Sequence, residues 1–194
     1  MKRVFIGIPL GKNISENLRE TLAPFDTFQK SFYWIPQENW HVTLSFIGDV
    51  TEESLSEIQK EVSAFVSSQK YFNVYFNAIE SFPSKSPKKL VITMVKNRNL
   101  MDLQYGLRNV LKKYIGAQAE KSFFPHVSVI NLKRTPEIPA ILEKAASMQF
   151  KKRFEVDTVA CIETIFKEKP PVEYRVLSEA KMIVDDKFDP ENID

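Results

Sequence analysis

Two short segments of similar sequence constrain the fold of this chain more than any other feature. "HVTLSF" begins at His41 and "HVSVI" begins at His126, and these are the only two histidines among 194 residues. In both segments a hydroxyl residue, Thr43 or Ser128, follows the histidine by two positions. Alternate residues of a β-strand point to the same side of the sheet, so each histidine is expected to project beside its own hydroxyl group.

The first segment has the pattern of a strand with one buried and one polar face. Apolar and polar residues alternate from Trp40 to Phe46, which places His41 and Thr43 on the polar face and Phe46 on the buried face. The second segment is entered through Pro125 and predicts another such strand. The phrase recurs 85 residues later, and each copy is soon followed by a helical pattern. This recurrence indicates two similar lobes that each contribute one strand to a shared cleft.

The remaining sequence mixes strands and helices without a regular alternation. Val4 to Leu10 is nearly all apolar and predicts a strand buried on both faces. Apolar residues at helical spacing recur in four segments, and neighbouring strand patterns suit antiparallel pairing. We therefore predict an α+β fold with one bilobal domain over residues 1–184, followed by a frayed acidic tail over residues 185–194. With five glycines and no glycine-rich phosphate loop, a doubly wound nucleotide-binding fold is disfavoured.

The composition excludes several classes of function. A formal net charge of +2 is too small to attract nucleic acid by bulk electrostatics, so an anionic ligand needs a local site. The single cysteine, Cys161, excludes an internal disulfide framework and a cysteine-based zinc site, and it favours a reducing cytoplasm. The opening "MKRVFIGIPLG" has an apolar run too short for a signal peptide, and no segment has membrane-spanning length. We expect a cytoplasmic protein with no membrane partner.

The two segments together could form an acid–base pair. One neutral imidazole can act as general base and one protonated imidazole as general acid, because histidine titrates near neutral pH. Hydroxyl groups two residues away can donate to the oxygens of a phosphate between the rings. This set suits in-line displacement at phosphorus without a metal, and it lacks an obvious third ligand for zinc. The alternative is that both histidines are structural, but their shared position on polar strand faces favours the chemical interpretation.

These residues carry a resemblance to a known family. "WIPQENW" followed by "HVTLSFIGDV", together with "FFPHVSVI", resembles the paired H-x-T/S-x motifs of the 2H phosphoesterase superfamily. The match is closest to the RNA 2',3'-cyclic phosphodiesterase family, also called 2'-5' RNA ligase or LigT-like. The opening "RVFIGIPL" is similar to that family's first strand, and the resemblance extends from Arg3 to about Lys181.

The resemblance implies a LigT-like fold with two antiparallel sheets in pseudo-twofold symmetry around a central cleft and helices outside. It implies hydrolysis of the 2',3'-cyclic phosphate of RNA 3' ends or cyclic nucleotides to a 2'-phosphomonoester, with no metal or nucleotide cofactor. Its motifs assign His41 as proton donor to the departing 3'-oxygen and His126 as the base that activates water. Thr43 and Ser128 would hold the phosphate, and Phe46 would stack on the nucleobase. We further expect a monomer.

The sequence departs from the family pattern at Asn131, where an arginine that aids phosphate binding is often found. This departure leaves open a module that binds a phosphorylated nucleotide or RNA end without turnover. A related phosphoesterase or 2'-5' RNA ligase with another substrate also stays open, because specificity lies in loops. The basic runs Lys85–Lys89 and Phe150–Phe154 could guide an RNA backbone. We interpret both runs as solvated surface charges, and Cys161 as buried and inert.

Overall fold

The computed structural model describes residues 1–115, 122–150, 152–166 and 172–183. The strands are β1 (Lys2–Pro9), β2 (Phe32–Trp34), β3 (His41–Val50), β4 (Phe72–Phe82), β5 (Lys89–Met94), β6 (His126–Leu132), β7 (Arg153–Val156), β8 (Thr158–Ile165) and β9 (Glu173–Lys181). The α-helices are α1 (Lys12–Thr21), α2 (Glu52–Val66), α3 (Arg98–Val110), α4 (Lys112–Ile115) and α5 (Ile138–Ser147). Two 3-10 segments span Ala23–Ser31 and Gln37–Asn39.

The sheet consists of two halves that meet between β3 and β6. Its strand order is β7-β4-β5-β6-β3-β1-β8-β9, with β2 paired to β6, and each of these strand pairs is antiparallel. The halves are joined through Val42, which lies opposite Val127. The predicted α+β architecture with antiparallel sheets around a cleft is confirmed. The backbone pairing adds one feature to this prediction: β3 and β6 pair with each other, so the two halves form one continuous sheet.

Strand β1 is buried on both faces, as its apolar sequence predicts. Val4, Ile6 and Ile8 enter the main core on one face. Phe5 points the opposite way and packs in a small cluster with Ala160 of β8. This second cluster lies on the side of the sheet that carries His41, and it gives that face an apolar support.

The helices cover the apolar side of the sheet. Helix α2 begins after Thr51, whose hydroxyl oxygen accepts a hydrogen bond from the backbone N–H of Ser54, a normal N-cap. Its buried stripe (Leu55, Ile58, Val62 and Val66) packs toward β8 and β9. Helix α3 is capped by Asn97 in the same way and packs on β3. Because the helices take the apolar side, the polar sides of β3 and β6 are left facing the cleft.

Two further predictions concern the acidic tail and the single cysteine. The acidic tail, residues 185–194, lies outside the described residues, so its fraying stays a prediction. Cys161 is buried in β8, and burial raises the pKa of its thiol to about 11. That shift keeps the thiol protonated at neutral pH, as expected of an inert core cysteine.

Helices long and apolar enough to cross a membrane are absent from the described ranges.

Candidate active site

A cleft of about 570 Å³ lies over the polar sides of β3 and β6. All five residues predicted from the sequence line this one cleft: His41, Thr43, Phe46, His126 and Ser128. The structure therefore brings together two segments that lie far apart in the chain. The chemical role of each residue stays a prediction.

The four polar residues flank the point where β3 and β6 meet. The two strands are joined by one facing pair, Val42 and Val127, and each valine lies between the histidine and the hydroxyl residue of its own strand. Side chains on either side of a strand residue point to the face opposite its own, so each histidine and its hydroxyl residue project together into the cleft. An anion bound between the rings would therefore lie near both hydroxyl groups.

The same backbone contact fixes the tautomer of both rings. His41 Nδ1 lies 2.7 Å from the carbonyl oxygen of Asn39, and His126 Nδ1 lies 2.8 Å from the carbonyl oxygen of Phe124. A carbonyl oxygen only accepts hydrogen bonds, so each Nδ1 carries the proton. The Nε2 atom of each ring is therefore the nitrogen left for chemistry, and that of His41 lies 3.1 Å from Thr43 Oγ1.

The ring of His41 is enclosed by neighbouring elements. Phe5 lies 4.7 Å from it between ring centroids, and Tyr174 of β9 meets it edge-on at 5.1 Å. A Cβ atom added to Gly7 would stand 3.5 Å from its Cδ2 atom and 3.0 Å from a backbone oxygen of β3, so this position favours glycine. The carbonyl of Asn39 is itself held in place, because the Asn39 side chain donates to the Val172 carbonyl at 3.0 Å.

The ring of His126 has a more open setting. It packs against Phe82 and Phe124 at centroid distances of 5.2 and 5.4 Å, with ring planes within 33° of parallel. These two phenylalanines remain 41% and 43% exposed. Among the described residues, none hydrogen-bonds to His126 Nε2. Solvent can therefore approach His126 more freely than His41.

Burial governs the protonation of both rings. It lowers the pKa of His41 to about 4; the hydrogen bond to Asn39 opposes the shift, and the charges of His126 and Lys89 add to it. Burial also lowers the pKa of His126, with a further contribution from Lys89. Both rings are therefore neutral in the empty cleft at pH 7. An anion placed between them raises both pKa values, because it stabilises the imidazolium form.

Lys89 is the main cleft residue that sequence reasoning missed. The interpretation of the run Lys85–Lys89 as solvated is wrong for this residue, because Lys89 begins β5 and its half-buried side chain lines the cleft. In the sheet it pairs with Asn131 of β6, the position where the family often has arginine. No local signal separates Lys89 from the exposed lysines before it, since only strand pairing turns it inward.

The charge of the cleft has one sign. Its lining includes Lys88, Lys89 and Arg108, and no acidic residue of the described chain is among the lining residues. Burial lowers the pKa of Lys89. A nearly neutral protein thus concentrates positive charge where its two histidines meet, and this arrangement suits an anionic ligand.

The prediction that Phe46 lies on the buried face is wrong. Its side chain is 63% exposed, while Ser45 is buried. The cause is an irregular register between β1 and β3. Ile6 of β1 pairs with Ser45, but Gly7 pairs with Thr43, so Leu44 of β3 has no partner on β1. Such a bulge reverses the alternation and re-aims the following side chains. Phe46 therefore lines the cleft beside Phe5, at 6.0 Å between ring centroids.

Comparisons with known proteins agree with this architecture. An Archaeoglobus fulgidus protein named RNA 2',3'-cyclic phosphodiesterase is 29% identical over 172 residues, which cover 88% of this chain and 95% of that protein. A crystal structure of a Thermus thermophilus protein superposes with a TM-score of 0.77 at 20% identity, covering 92% of this chain and 97% of that one. E. coli LigT complexed with 3'-AMP gives 0.70 at 17% identity, covering 93% and 97%. At these identities the two structures show the fold alone.

The family itself follows from a match over most of the sequence. Residues 14–165 match the model of the 2'-5' RNA ligase superfamily, a range that contains both histidine segments and strands β2 to β8. The resemblance seen in the two motifs is thereby confirmed, and the chain belongs to the 2'-5' RNA ligase superfamily of 2H phosphoesterases.

Proposed function

We propose that this protein hydrolyses the 2',3'-cyclic phosphate of RNA 3' ends or nucleotides to a 2'-phosphomonoester. The observation that carries the proposal is a pair of histidines that use Nδ1 to bond backbone carbonyls, which leaves each Nε2 unprotonated and available for proton transfer. Both lie in a cleft lined by cations and by no acidic residue of the described chain. The name of the Archaeoglobus fulgidus relative supports the choice of substrate. The phosphodiester anion matches the charge of the cleft, and its two nonbridging oxygens match the two hydroxyl groups.

In the proposed reaction, water attacks phosphorus in line with the 3'-oxygen. His126 Nε2 takes the proton from water as the new P–O bond forms, and His41 Nε2 gives its proton to the 3'-oxygen as the P–O3' bond breaks. The 2'-ester bond stays intact, so the product carries a 2'-phosphate and a 3'-hydroxyl group. Thr43 and Ser128 donate to the nonbridging oxygens. The two rings then return to their starting protonation states by exchange with solvent.

The different settings of the two rings support this division of roles. Water reaches the open side of the cleft, where His126 packs on exposed phenylalanines. The enclosed His41 is a strong acid once protonated, because burial disfavours its charged form. The cost of protonating it is offset by the bound phosphate anion. Substrate binding and proton uptake by His41 are therefore coupled.

The exposed ring of Phe46 supports nucleobase stacking at the edge of the cleft. An aromatic face accepts any base, and stacking contributes about 1–3 kcal/mol per base. Binding through a phosphate and one stacked base requires no further group on the substrate. Activity without metal or cofactor, a monomeric state and a cytoplasmic location stay predictions.

The test compares wild type, His41→Ala and His126→Ala on 2',3'-cyclic AMP and on an RNA oligonucleotide that ends in a cyclic phosphate, in EDTA. We expect the wild type to form 2'-phosphate, and each variant to lose about 10²–10⁴-fold in rate, the contribution of a general acid or base. Chromatography resolves 2'- from 3'-phosphate products, and thermal unfolding checks that all three proteins fold. Normal turnover by His126→Ala would refute the mechanism.

The alternative of a binding module rests on Asn131, which brings no charge to the cleft. The position across the strand pair from Asn131 is occupied by Lys89, so the cleft keeps a cation at this place in the sheet. If the folded wild type bound 2'-AMP but formed no product from either substrate, the binding module would replace the hydrolase.

A further inference from the structure

The placement of Lys89 is fixed by the sheet rather than by a loop. Strand β5 lies between β4 and β6, and the residues that follow Lys89 are fully buried. Its backbone pairs with Phe82 on one side and with Asn131 on the other. Two residues further along β5, Val91 pairs with Ser128. His126 pairs with Thr93 still further along β5, so Lys89 begins the strand at one end of the row that contains Ser128 and His126. Its long side chain lines the same cleft as these two residues.

Lys89 is a half-buried cation without a carboxylate partner among the described residues. Other lysines of the chain have one: Lys113 lies 2.8 Å from a carboxylate oxygen of Glu61, for example. The acidic residue on the neighbouring part of β4, Glu80, instead accepts a hydrogen bond from the Thr93 hydroxyl. A cation that loses water without gaining a counter-charge destabilises the empty protein. A bound anion removes that cost, so the cleft favours an anion at Lys89.

The charge of Lys89 acts on both rings of the cleft. Burial is the main cause of the lowered pKa of His41 and of His126, and the charge of Lys89 lowers both further. Together with its place in the cleft lining, this puts Lys89 within electrostatic range of both histidines. Its cross-strand partners, Phe82 and Asn131, are uncharged, and no acidic residue of the described chain lines the cleft.

We propose that Lys89 is the phosphate-binding cation of this cleft, which contacts a nonbridging oxygen of the cyclic phosphate and stabilises the charge that builds up during hydrolysis. This inference rests on the proposed function. A cyclic diester carries one negative charge and the product monoester approaches two, so a fixed cation binds the transition state more tightly than the substrate. Its place in the sheet also compensates for the neutral Asn131.

The direct test is Lys89→Met, which removes the charge and keeps an apolar stem of similar length. We expect kcat/KM on 2',3'-cyclic AMP to fall about 100-fold, as when one electrostatic donor to a transition state is lost. Inhibition by inorganic phosphate should weaken in parallel. Lys89→Arg should stay within about tenfold of wild type, because the charge remains. Lys85→Met is the matched control: it removes an exposed lysine of the same run and should leave both parameters unchanged.

A second variant tests the position rather than the charge alone. Because residues 89 and 131 are cross-strand partners, their Cβ atoms are neighbours, about 5 Å apart. In the double variant Lys89→Met/Asn131→Arg, the new arginine therefore enters the same part of the cleft. Its kcat/KM should be at least about tenfold higher than that of Lys89→Met. A purely structural role of Lys89 would not be rescued in this way. The pH profile adds an independent readout, since removing the cation should move the alkaline limb of kcat/KM to higher pH.

The outcomes separate this inference from the proposed function. Activity and phosphate inhibition of Lys89→Met within about threefold of wild type would overturn the role of Lys89 while the hydrolase stands. If the wild type has no turnover, calorimetric titration with inorganic phosphate still tests whether Lys89 binds an anion. Loss of phosphate binding in Lys89→Met would support the anion site, and unchanged binding would refute it. If Lys89→Met fails to fold, Lys89→Gln replaces it in every comparison.

Discussion

The two halves of the cleft share a motif and differ in what surrounds it. In each half a histidine donates Nδ1–H to the carbonyl two residues earlier and lies beside a hydroxyl residue. His41 is enclosed by Phe5 and by Tyr174 from the last strand, whereas His126 rests on two exposed phenylalanines. A repeated strand pattern thus sets equal geometry, and the unequal packing gives the two rings unequal proton affinity and solvent access. This is how a symmetric pair can divide the work of acid and base.

The largest expected effect is the loss of either histidine, and a substrate whose leaving group needs no proton should separate their two roles. On 2',3'-cyclic AMP both His41→Ala and His126→Ala should lose about 10³-fold in kcat/KM. On a nucleoside 4-nitrophenyl phosphodiester, His41→Ala should lose less than about tenfold, because nitrophenolate leaves unprotonated, while His126→Ala keeps its full deficit. Release of nitrophenolate is followed by absorbance. Equal deficits of the two variants on both substrates would contradict the division of roles.

The next largest effect is expected from Gly7→Ala, which adds a side-chain atom beside the His41 ring. In Gly7→Ala the new Cβ atom would lie 3.0 Å from the backbone oxygen of Val42 and 3.5 Å from His41 Cδ2. The ring must shift to make room, and small misplacements of a catalytic group cost about 10–100-fold in kcat. Gly11→Ala is the control, since a Cβ atom there meets nothing within 4 Å. Steady-state kinetics of both variants measures the contrast, and a Gly7→Ala enzyme with wild-type kcat would show that His41 tolerates movement.

The pH dependence of kcat/KM should reflect the lowered pKa values of both rings. In the proposed mechanism the free enzyme needs one protonated and one neutral histidine, and the pKa of His41 is lowered to about 4. The pKa of His126 is lowered as well. Both limbs of the bell should therefore lie below the ordinary histidine value, with a fall of about tenfold per pH unit above the optimum. Rates measured at constant ionic strength test this, and an optimum above pH 8 would be inconsistent with it.

The smallest expected effect is on stability. The unfolded chain binds a proton at His41 below about pH 6.5, whereas the folded protein does not until the pH approaches 4. The unfolded state therefore binds more protons in this window, and stability falls as the pH decreases. Between pH 7.5 and 5.5 the wild type should lose about 1 kcal/mol more free energy of unfolding than His41→Gln, which lacks the titrating group. Urea unfolding at the two pH values measures the difference, and identical losses would show that His41 titrates normally.

Much of the fold follows from local patterns in the chain. Continuous apolar sequence is enough to predict that β1 is buried on both faces, and the threonine before α2 is enough to predict where that helix begins. The two histidine segments are predictable as strands because alternation is a property of neighbouring residues. Their convergence is predictable only through the recurrence of the phrase and its resemblance to a family.

The missed features depend on residues far away in sequence. Phe46 faces the cleft because β3 skips Leu44 where it pairs with β1, and no alternation within β3 encodes that bulge. Lys89 lines the cleft because β5 pairs with β4 on one side and with β6 on the other. The lysines before it in the sequence, Lys85 and Lys88, are exposed. The strong burial that lowers the pKa of His41 arises in the same way, because distant strands bring Phe5 and Tyr174 against its ring.

The sequence by itself determined the class of fold, the two histidine–hydroxyl strands and the family, since these depend on spacing and residue type along the chain. Only the tertiary structure decided the pairing of Val42 with Val127 that joins the two strands, the exposure of Phe46 and the place of Lys89. The physical reason is that register, bulges and burial are set by the pairing of distant strands, and a one-residue shift in that pairing moves a side chain from the core to the cleft.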